Sequence, residues 1–238
     1  MKNLFEPDER LALCASFVRE GAAVADIGTD HAYLPVWLVR SGKIPSAVAA
    51  DLREGPLANA QANIERNGVS DRIKTVLSDG LDNIDENEAD DIVIAGMGGE
   101  LIAGIIGRAL WLRDPCKHLI LQPMTKADYL RRYLCENGFA VKEERACISL
   151  GKSYCVMLCE YDGKNRECSD ETAYIGLLKN DGSYEAKRYI HMIREKLMKK
   201  IKGFGSDTPE YCTLAGLIEK FGKMSEGAEN NDKCRNDI

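Results

Sequence analysis

The chain has 238 residues, of which 45% are hydrophobic and 29% charged, with a formal net charge of −6. This length allows one large core with an appendage, or two small domains. An acidic average is not typical of a nucleic-acid-binding protein, although it can hide a basic patch. No apolar run reaches the ~18 residues of a membrane span, and the first residues lack the apolar segment of a signal peptide. We therefore expect a cytoplasmic protein.

Cysteine and histidine are the residue types that would reveal a disulfide framework or a metal site. The nine cysteines form no Cys-x-x-Cys pair, and the three histidines are far apart in the sequence. In a reducing compartment such cysteines are expected to be free thiols that pack as small hydrophobic side chains. The spacing therefore predicts neither a disulfide framework nor a metal site.

Apolar strands and amphipathic helices alternate along the first two thirds of the chain, a pattern typical of an α/β fold with a doubly wound, mostly parallel sheet. The turn between the last two predicted strands consists only of residues 151–152, so these strands are expected to be antiparallel. The predicted strands cover 23–27, 46–51, 73–77, 90–95, 118–121, 139–148 and 153–161. The predicted helices cover 6–20, 31–41, 56–67, 100–110 and 126–136.

The pattern changes after residue 162, where a short polar linker precedes a segment that is helical throughout. Between 170 and 224, apolar residues recur three or four apart in two stripes that a glycine-containing segment separates. This spacing predicts an antiparallel, coiled-coil-like helical hairpin. We therefore divide the chain into a catalytic-type domain (1–162), a helical hairpin (163–224) and a polar tail (225–238) with the composition of a disordered segment.

Acidic residues and glycines follow the predicted parallel strands at the points where the strands end. The carboxyl ends of such strands meet at one edge of a sheet, where ligands bind. Gly28 allows a ligand to come close to the backbone, and Asp51 suits the hydroxyl groups of a ribose. Asp79 can accept a hydrogen bond from the exocyclic amine of an adenine. Together these residues indicate a ligand that contains adenosine.

Two adenosine-containing ligands are compatible with this arrangement, NAD and S-adenosylmethionine. The NAD fingerprint has three glycines, but the corresponding turn here has only Gly28. Asp30 also lies where a pyrophosphate would have to approach, and its carboxylate would repel it. S-adenosylmethionine carries no phosphate and is positively charged, so carboxylates favour its binding. We therefore favour the methyl donor, with a dinucleotide-dependent oxidoreductase as the least favoured alternative.

Residues 25–35 (ADIGTDHAYLP) and 94–99 (IAGMGG) resemble the bacterial tRNA (adenine-N1)-methyltransferases that act on position 22, the TrmK family. The resemblance covers most of the chain and implies a Rossmann-like class I methyltransferase fold, S-adenosylmethionine as donor and tRNA as substrate. Position 22 rests on the resemblance alone. The residues that we expect to bind the donor are Asp26, Gly28, Thr29, Asp51, Leu52, Asp79, Gly80, Gly96, Met97 and Gly98.

The chemistry of the acceptor agrees with this resemblance. Many enzymes that methylate the exocyclic amine of adenine carry Asn/Asp-Pro-Pro-aromatic where this chain has residues 96–99. Ring nitrogen N1 has an in-plane lone pair and needs no deprotonation, so catalysis can consist mainly of positioning. Because the methylated base is cationic, a carboxylate can stabilise the developing charge. We predict Asp30 for this role, with Tyr33 or His31 holding the base.

A basic segment interrupts the otherwise acidic composition between residues 179 and 202. With a methyltransferase domain attached, phosphate contacts are the favoured interpretation, and a solvated helix face is the alternative. We expect Lys126, Arg131 and Arg132 to extend this basic patch. The residues predicted to contact RNA are Lys187, Arg188, Arg194, Lys199, Lys200 and Lys202.

Other functions remain open at this point. The same strand-end residues would serve a methyltransferase with another RNA, a protein or a small molecule as acceptor. They would also serve a protein that binds the donor or RNA without catalysis. The sequence does not indicate the oligomeric state, nor whether the hairpin contacts RNA or a second subunit.

Overall fold

The computed structural model describes residues 7–228, in which seven strands form one sheet. The strands are β1 (Val24–Ile27), β2 (Ala47–Asp51), β3 (Ile73–Leu77), β4 (Asp91–Gly98), β5 (His118–Thr125), β6 (Phe139–Ser149) and β7 (Lys152–Tyr161). Their order in the sheet is β3-β2-β1-β4-β5-β7-β6, and β7 runs antiparallel to both of its neighbours. The predicted doubly wound, mostly parallel sheet with an antiparallel last strand is confirmed.

Eight α-helices surround this sheet within the described part of the chain. They are α1 (Glu9–Phe17), α2 (Tyr33–Arg40), α3 (Glu54–Arg66), α4 (Gly99–Arg108), α5 (Ala127–Glu136), α6 (Asp170–Ile175), α7 (Tyr184–Lys200) and α8 (Pro209–Met224). The long helices α7 and α8 form the predicted hairpin. The all-helical segment from residue 170 is divided near its start, because Gly176, with φ +55°, ends α6 and a 3-10 segment follows before α7.

Several predicted helix and strand ends shift by a few residues for local reasons. Helix α1 is shorter than predicted, because the Asp8 carboxylate accepts a hydrogen bond from Leu11 N (2.8 Å) and starts the helix there. Val18 is already extended and ends it. The predicted start at residue 6 lies outside the described residues. Helix α3 begins at Glu54, two residues before the predicted Pro56.

The glycine run at 96–99, which follows the predicted strand 90–95, continues strand β4 as far as Gly98, and Gly99 begins α4. Strand β4 extends through Gly98, and β5 extends to Thr125 beside it. The pairing is irregular between Ala95 and Gly98, where the register shifts. Such bulges re-aim a strand and are common beside active sites. The two longest parallel strands therefore reach beyond the edge at which β1 and β2 end.

Two apolar clusters cover the two faces of the sheet. Val24 and its neighbours on one face pack with side chains of α1, α2 and α3. Ala25 and Ile27 on the other face belong to a cluster that includes side chains of α4, α5 and the hairpin helices. Because this second cluster continues from the sheet into α7 and α8, the hairpin packs on the body of the protein. The division into domains at residue 162 stays a prediction.

Arg131, which we expected in an RNA-binding patch, is instead a buried structural residue. Its side chain is 1% exposed, and its Nη2 donates to Glu144 Oε1 at 2.6 Å. Its Nη1 donates to the carbonyl oxygens of Ala173 (2.7 Å) and Tyr174 (3.0 Å). This guanidinium therefore ties α5, β6 and α6 together. Arg132 forms a surface ion pair with Asp170. The expected extension of the patch is therefore wrong for Arg131 and stays a prediction for Lys126 and Arg132.

The remaining expectations concern chain ends and global properties. Ser225 and Ala228 are buried, although the predicted tail begins at 225, and residues 229–238 of that tail lie outside the described range. Cysteines within 7–228 are free thiols. Over the same residues, no helix is long and apolar enough to cross a membrane, and no cluster of three metal-ligating side chains occurs.

We predict that Glu144→Ala destabilises the protein by about 3–5 kcal/mol, because it leaves the buried Arg131 charge without its partner. The free energy of unfolding, measured by urea titration, checks this value. Glu143→Ala is the matched control, since Glu143 forms a surface ion pair with Arg145 and its removal should cost at most about 1 kcal/mol. Equal effects of the two substitutions would contradict this role for Arg131.

Candidate active site

The turn between β1 and α2 forms the centre of the site. Gly28 has φ +74°, and its N–H donates to the carbonyl oxygen of Ala50 on β2 (2.8 Å). A Cβ at this position would lie 2.3 Å from Met97 Cε of β4. A side chain here would therefore both strain the backbone and displace Met97. The glycine keeps the backbone bare where the ends of three neighbouring strands meet.

Asp26, two residues before this glycine, is a buried carboxyl with few charges near it. It is 6% exposed, and Thr29 Oγ1 donates to its Oδ2 at 2.6 Å. Burial raises the pKa of Asp26 from 3.8 to about 6, against the lowering effects of the Thr29 hydrogen bond and the Arg10 charge. A cationic ligand beside this carboxyl would favour its ionised form. The site is therefore suited to a positively charged molecule.

Arg10 and Gln122 hold the glycine run at the end of β4, an interaction that the sequence analysis missed. Arg10 Nη1 donates to Gln122 Oε1 at 2.8 Å, and the same oxygen accepts from Gly96 N at 3.0 Å. Gln122 is fully buried, and Gly96 has φ +82°. The amide of one side chain thus holds the irregular end of β4 and an arginine together. These partners are 112 residues apart in sequence, so no local motif could reveal them.

Asp51 and Leu52 at the end of β2 occupy the neighbouring position along the edge. Asp51 is 8% exposed, and its Oδ1 accepts from Arg53 N at 3.0 Å. Leu52 is 63% exposed beside it. The buried carboxylate of Asp51 can bind the hydroxyls of a ribose, and the exposed side chain of Leu52 can cover the adjoining base.

Asp79 and Gly80 follow β3 along the same edge. The Asp79 carboxylate forms an ion pair with Arg108 of α4 (2.9 Å), a partner that the sequence analysis did not predict. Gly80 has φ +63°, and a Cβ there would lie 2.8 Å from Ile105. The close packing of α4 against this turn thus fixes the backbone beside Asp79. The structure brings all the predicted donor-binding residues to one edge of the sheet.

The three predicted catalytic residues lie together at the start of α2. Asp30 is in the left-handed region (φ +50°), with its side chain 69% exposed and its Oδ2 3.8 Å from His31 Nε2. The rings of His31 and Tyr33 stack with centroids 5.2 Å apart. Ala32 is also left-handed (φ +53°), so this turn holds two non-glycine residues in a costly conformation. The turn presents a carboxylate and two rings next to the cleft.

The predicted RNA-contacting residues on α7 do not form one continuous patch. Lys200 lines a cleft between α7 and the junction of β5 with α5, whereas Arg194 and Lys202 line a groove between α7 and α8. Lys199 is exposed, and Lys187 and Arg188 are half-buried near the start of the helix. The charge of the helix is therefore distributed over more than one face.

We predict that the raised pKa of Asp26 makes stability depend on pH. Because the folded state binds a proton that the unfolded state has lost, stability falls as pH rises from about 4 to about 6, by about 3 kcal/mol in total. Asp26→Asn should remove this fall. The difference in free energy of unfolding between the variant and the native protein should therefore shift in favour of the variant as the pH rises from about 4 to about 6. Chemical denaturation at several pH values measures it. With Asp30→Asn as control, parallel curves for all three proteins would contradict the prediction.

Comparisons with known proteins agree with this geometry. The family described as "Methyltransferase domain" matches residues 8–157. The chain is 37% identical over 227 residues to the tRNA (adenine(22)-N(1))-methyltransferase of Bacillus subtilis (strain 168), covering 95% of this chain and 94% of that protein. The crystal structure of the B. subtilis m1A22 tRNA methyltransferase TrmK superposes with a TM-score of 0.80, at 29% identity, over 94% of this chain and 100% of that chain.

A Streptococcus pneumoniae protein, solved in complex with S-adenosyl-L-methionine, gives a TM-score of 0.81 at 33% identity, over 92% of this chain and 100% of that chain. The similarity thus includes both the sheet and the helical hairpin. The family that residues 25–35 and 94–99 indicated is confirmed. The chain belongs to the TrmK family of tRNA (adenine(22)-N(1))-methyltransferases.

Proposed function

We propose that the protein transfers a methyl group from S-adenosyl-L-methionine to N1 of adenine 22 in tRNA, the acceptor for which its Bacillus relative is named. The observation that carries this proposal is the bare Gly28 turn beside the buried Asp26, facing the glycine run of β4. A cytoplasmic location, where tRNA is found, belongs to the same proposal.

The residues present fit the donor. Gly28 leaves the backbone without a side chain, with only the flexible end of Met97 against it, and the carboxylates of Asp26 and Asp51 suit the positive charge and the ribose hydroxyls of the donor. Leu52 and Asp79 would border the adenine, and residues 96–98 would face the reacting group. When bound, S-adenosylmethionine supplies a methyl group on a sulfonium, which is ready for transfer to a nucleophile. The complex of the Streptococcus pneumoniae protein with this donor supports the assignment.

The turn at the start of α2 would act on the acceptor. The adenine N1 lone pair needs no base to activate it, so the protein has to hold the ring at the correct distance and angle. His31 and Tyr33 offer ring surfaces against which a base can stack. Asp30 would lie near the base as positive charge develops on it, and a carboxylate stabilises that charge. Closure of RNA over the turn would remove water from Asp30 and strengthen this effect.

The test is the transfer of labelled methyl from S-adenosylmethionine to unmodified tRNA, followed by nucleoside analysis. We expect N1-methyladenosine, and loss of the label when position 22 carries another base. Methylation of a different nucleoside would overturn the acceptor and leave the donor assignment intact. Binding of the donor without incorporation into any tRNA would overturn the function.

We predict that Asp30→Asn lowers kcat about 10- to 100-fold while the affinity for S-adenosylmethionine is unchanged. Asparagine tolerates the left-handed backbone at this position, so the substitution removes mainly the charge. Single-turnover kinetics and calorimetric titration of the donor separate the two effects. Asp71→Asn, an exposed carboxyl that precedes β3 at the opposite edge of the sheet, is the control. Unchanged turnover of Asp30→Asn would remove Asp30 from the mechanism.

A further inference from the structure

A cleft of about 390 Å³ lies between the end of β5, the start of α5 and one face of α7. This volume is within the range of pockets that bind small ligands, roughly 300–1,000 Å³. None of the residues that we assigned to the donor lines it. It is therefore a cavity that the donor site does not account for.

The cleft continues directly from the candidate active site. Thr125, on its wall, pairs with Gly98 at the end of β4. The backbone of Lys126 packs so closely on the start of α4 that a Cβ on Gly99 would lie 2.2 Å from its carbonyl oxygen. A chain of nucleotides with one base at the glycine run would thus have its neighbour at the mouth of this cleft.

The charged residues of the cleft favour an anion. Lys126, Lys196 and Lys200 line it, against a single carboxylate, that of Asp128. Lys126 and Lys196 make no ion pair with any residue of the described chain, and both are exposed. Lys200 Nζ donates to Tyr174 Oη at 3.1 Å. Two lysines on α7 and one at the start of α5 thus place positive charge on opposite walls of the cleft.

Aromatic rings form the rest of the wall. Tyr154 and Tyr174 are half-buried there, while Tyr189 is buried and its Oη accepts from Cys155 Sγ at 3.3 Å. Aromatic faces next to a phosphate-binding groove are the arrangement by which proteins bind unstacked nucleotides. An apolar peptide would gain nothing from the lysines, and an isolated phosphate would gain nothing from the rings.

We propose that this cleft binds a nucleotide of the tRNA next to the methylated adenine, with its phosphate at Lys126 and Lys196 and its base against Tyr154. The inference rests on the proposed function, since it assumes that an RNA strand enters the active site. The cleft would hold the strand open beside the flipped adenine and so align its N1 with the donor.

The first experiment compares two doubly substituted proteins that have lost the same charge. Lys126→Gln/Lys196→Gln removes two lysines of the cleft. Lys74→Gln/Lys142→Gln removes two exposed lysines elsewhere, each in a surface ion pair. We expect the cleft variant to raise the KM for tRNA about tenfold and to reduce the slope of log affinity against log salt by about two. The control should change neither, and donor affinity should be equal in both.

The second experiment tests the stacked base. Tyr154→Leu keeps the apolar bulk but not the aromatic face, and it should weaken tRNA binding about tenfold. Tyr154→Phe keeps the ring and should bind tRNA as the native protein does. Adenosine monophosphate and inorganic phosphate should not compete with tRNA at micromolar concentrations.

The outcomes separate this inference from the proposed function. Direct tRNA binding is measured alongside methylation, so the cleft is tested even if no methyl group is transferred. If the Lys126→Gln/Lys196→Gln protein methylates tRNA with the native KM and the native salt dependence of affinity, the cleft does not bind the tRNA. The proposed function would then still stand. Equal loss in the cleft and control variants would also overturn this inference, because charge alone would then explain the effect. Competition by micromolar adenosine monophosphate would identify a free-nucleotide site instead.

Discussion

The parallel pairing of the central strand β1 with both neighbours is the constraint on which the site depends. Ile27, its last residue, pairs with Ala50 of β2 and Ile94 of β4. This register places the end of β1 beside the end of β2 and beside the glycine-rich extension of β4, so the segments that follow β1 and β2 lie next to that extension. A slip of one residue would turn every side chain of β1 to the opposite face. The small and branched residues of these strands, buried on both faces, prevent such a slip.

The position of Gly28, which directly follows β1, depends on this register. Because Met97 lies directly against Gly28, the glycine run of β4 and the first turn are in contact before any ligand binds. Gln122 then fixes the same run through Gly96. The backbone of this edge is therefore held in place before a ligand binds, and the flexible Met97 side chain is the part that would move for a ligand to approach Gly28.

Much of this could be predicted from sequence, because the informative patterns are local. Buried strands, helix periodicity and the acids at strand ends each lie within a few residues, and the resemblance of residues 25–35 supplied the family. What could not be predicted are contacts between distant segments. The hydrogen bond between Arg10 and Gln122 and the burial of Arg131 against Glu144 depend on how the elements pack. Because arginine is charged, the sequence alone indicated that Arg131 lies on the surface. Helical spacing places Lys196 and Lys200 on one face, but only the packing of α7 shows that this face borders β5.

The buried guanidinium of Arg131 has a consequence for how the proposed tRNA substrate would be selected. It joins α5 and β6 to the segment that leads into the hairpin, and the apolar cluster continues across the same junction. The hairpin is thus packed firmly on the body of the protein. Under the proposed function, this packing would keep a constant distance between the lysines of α7 and the turn at the start of α2, and an RNA would have to present the target adenine at that distance by its own fold. Such selection would need no reading of base sequence, and it would discriminate among adenines by their position in the folded RNA.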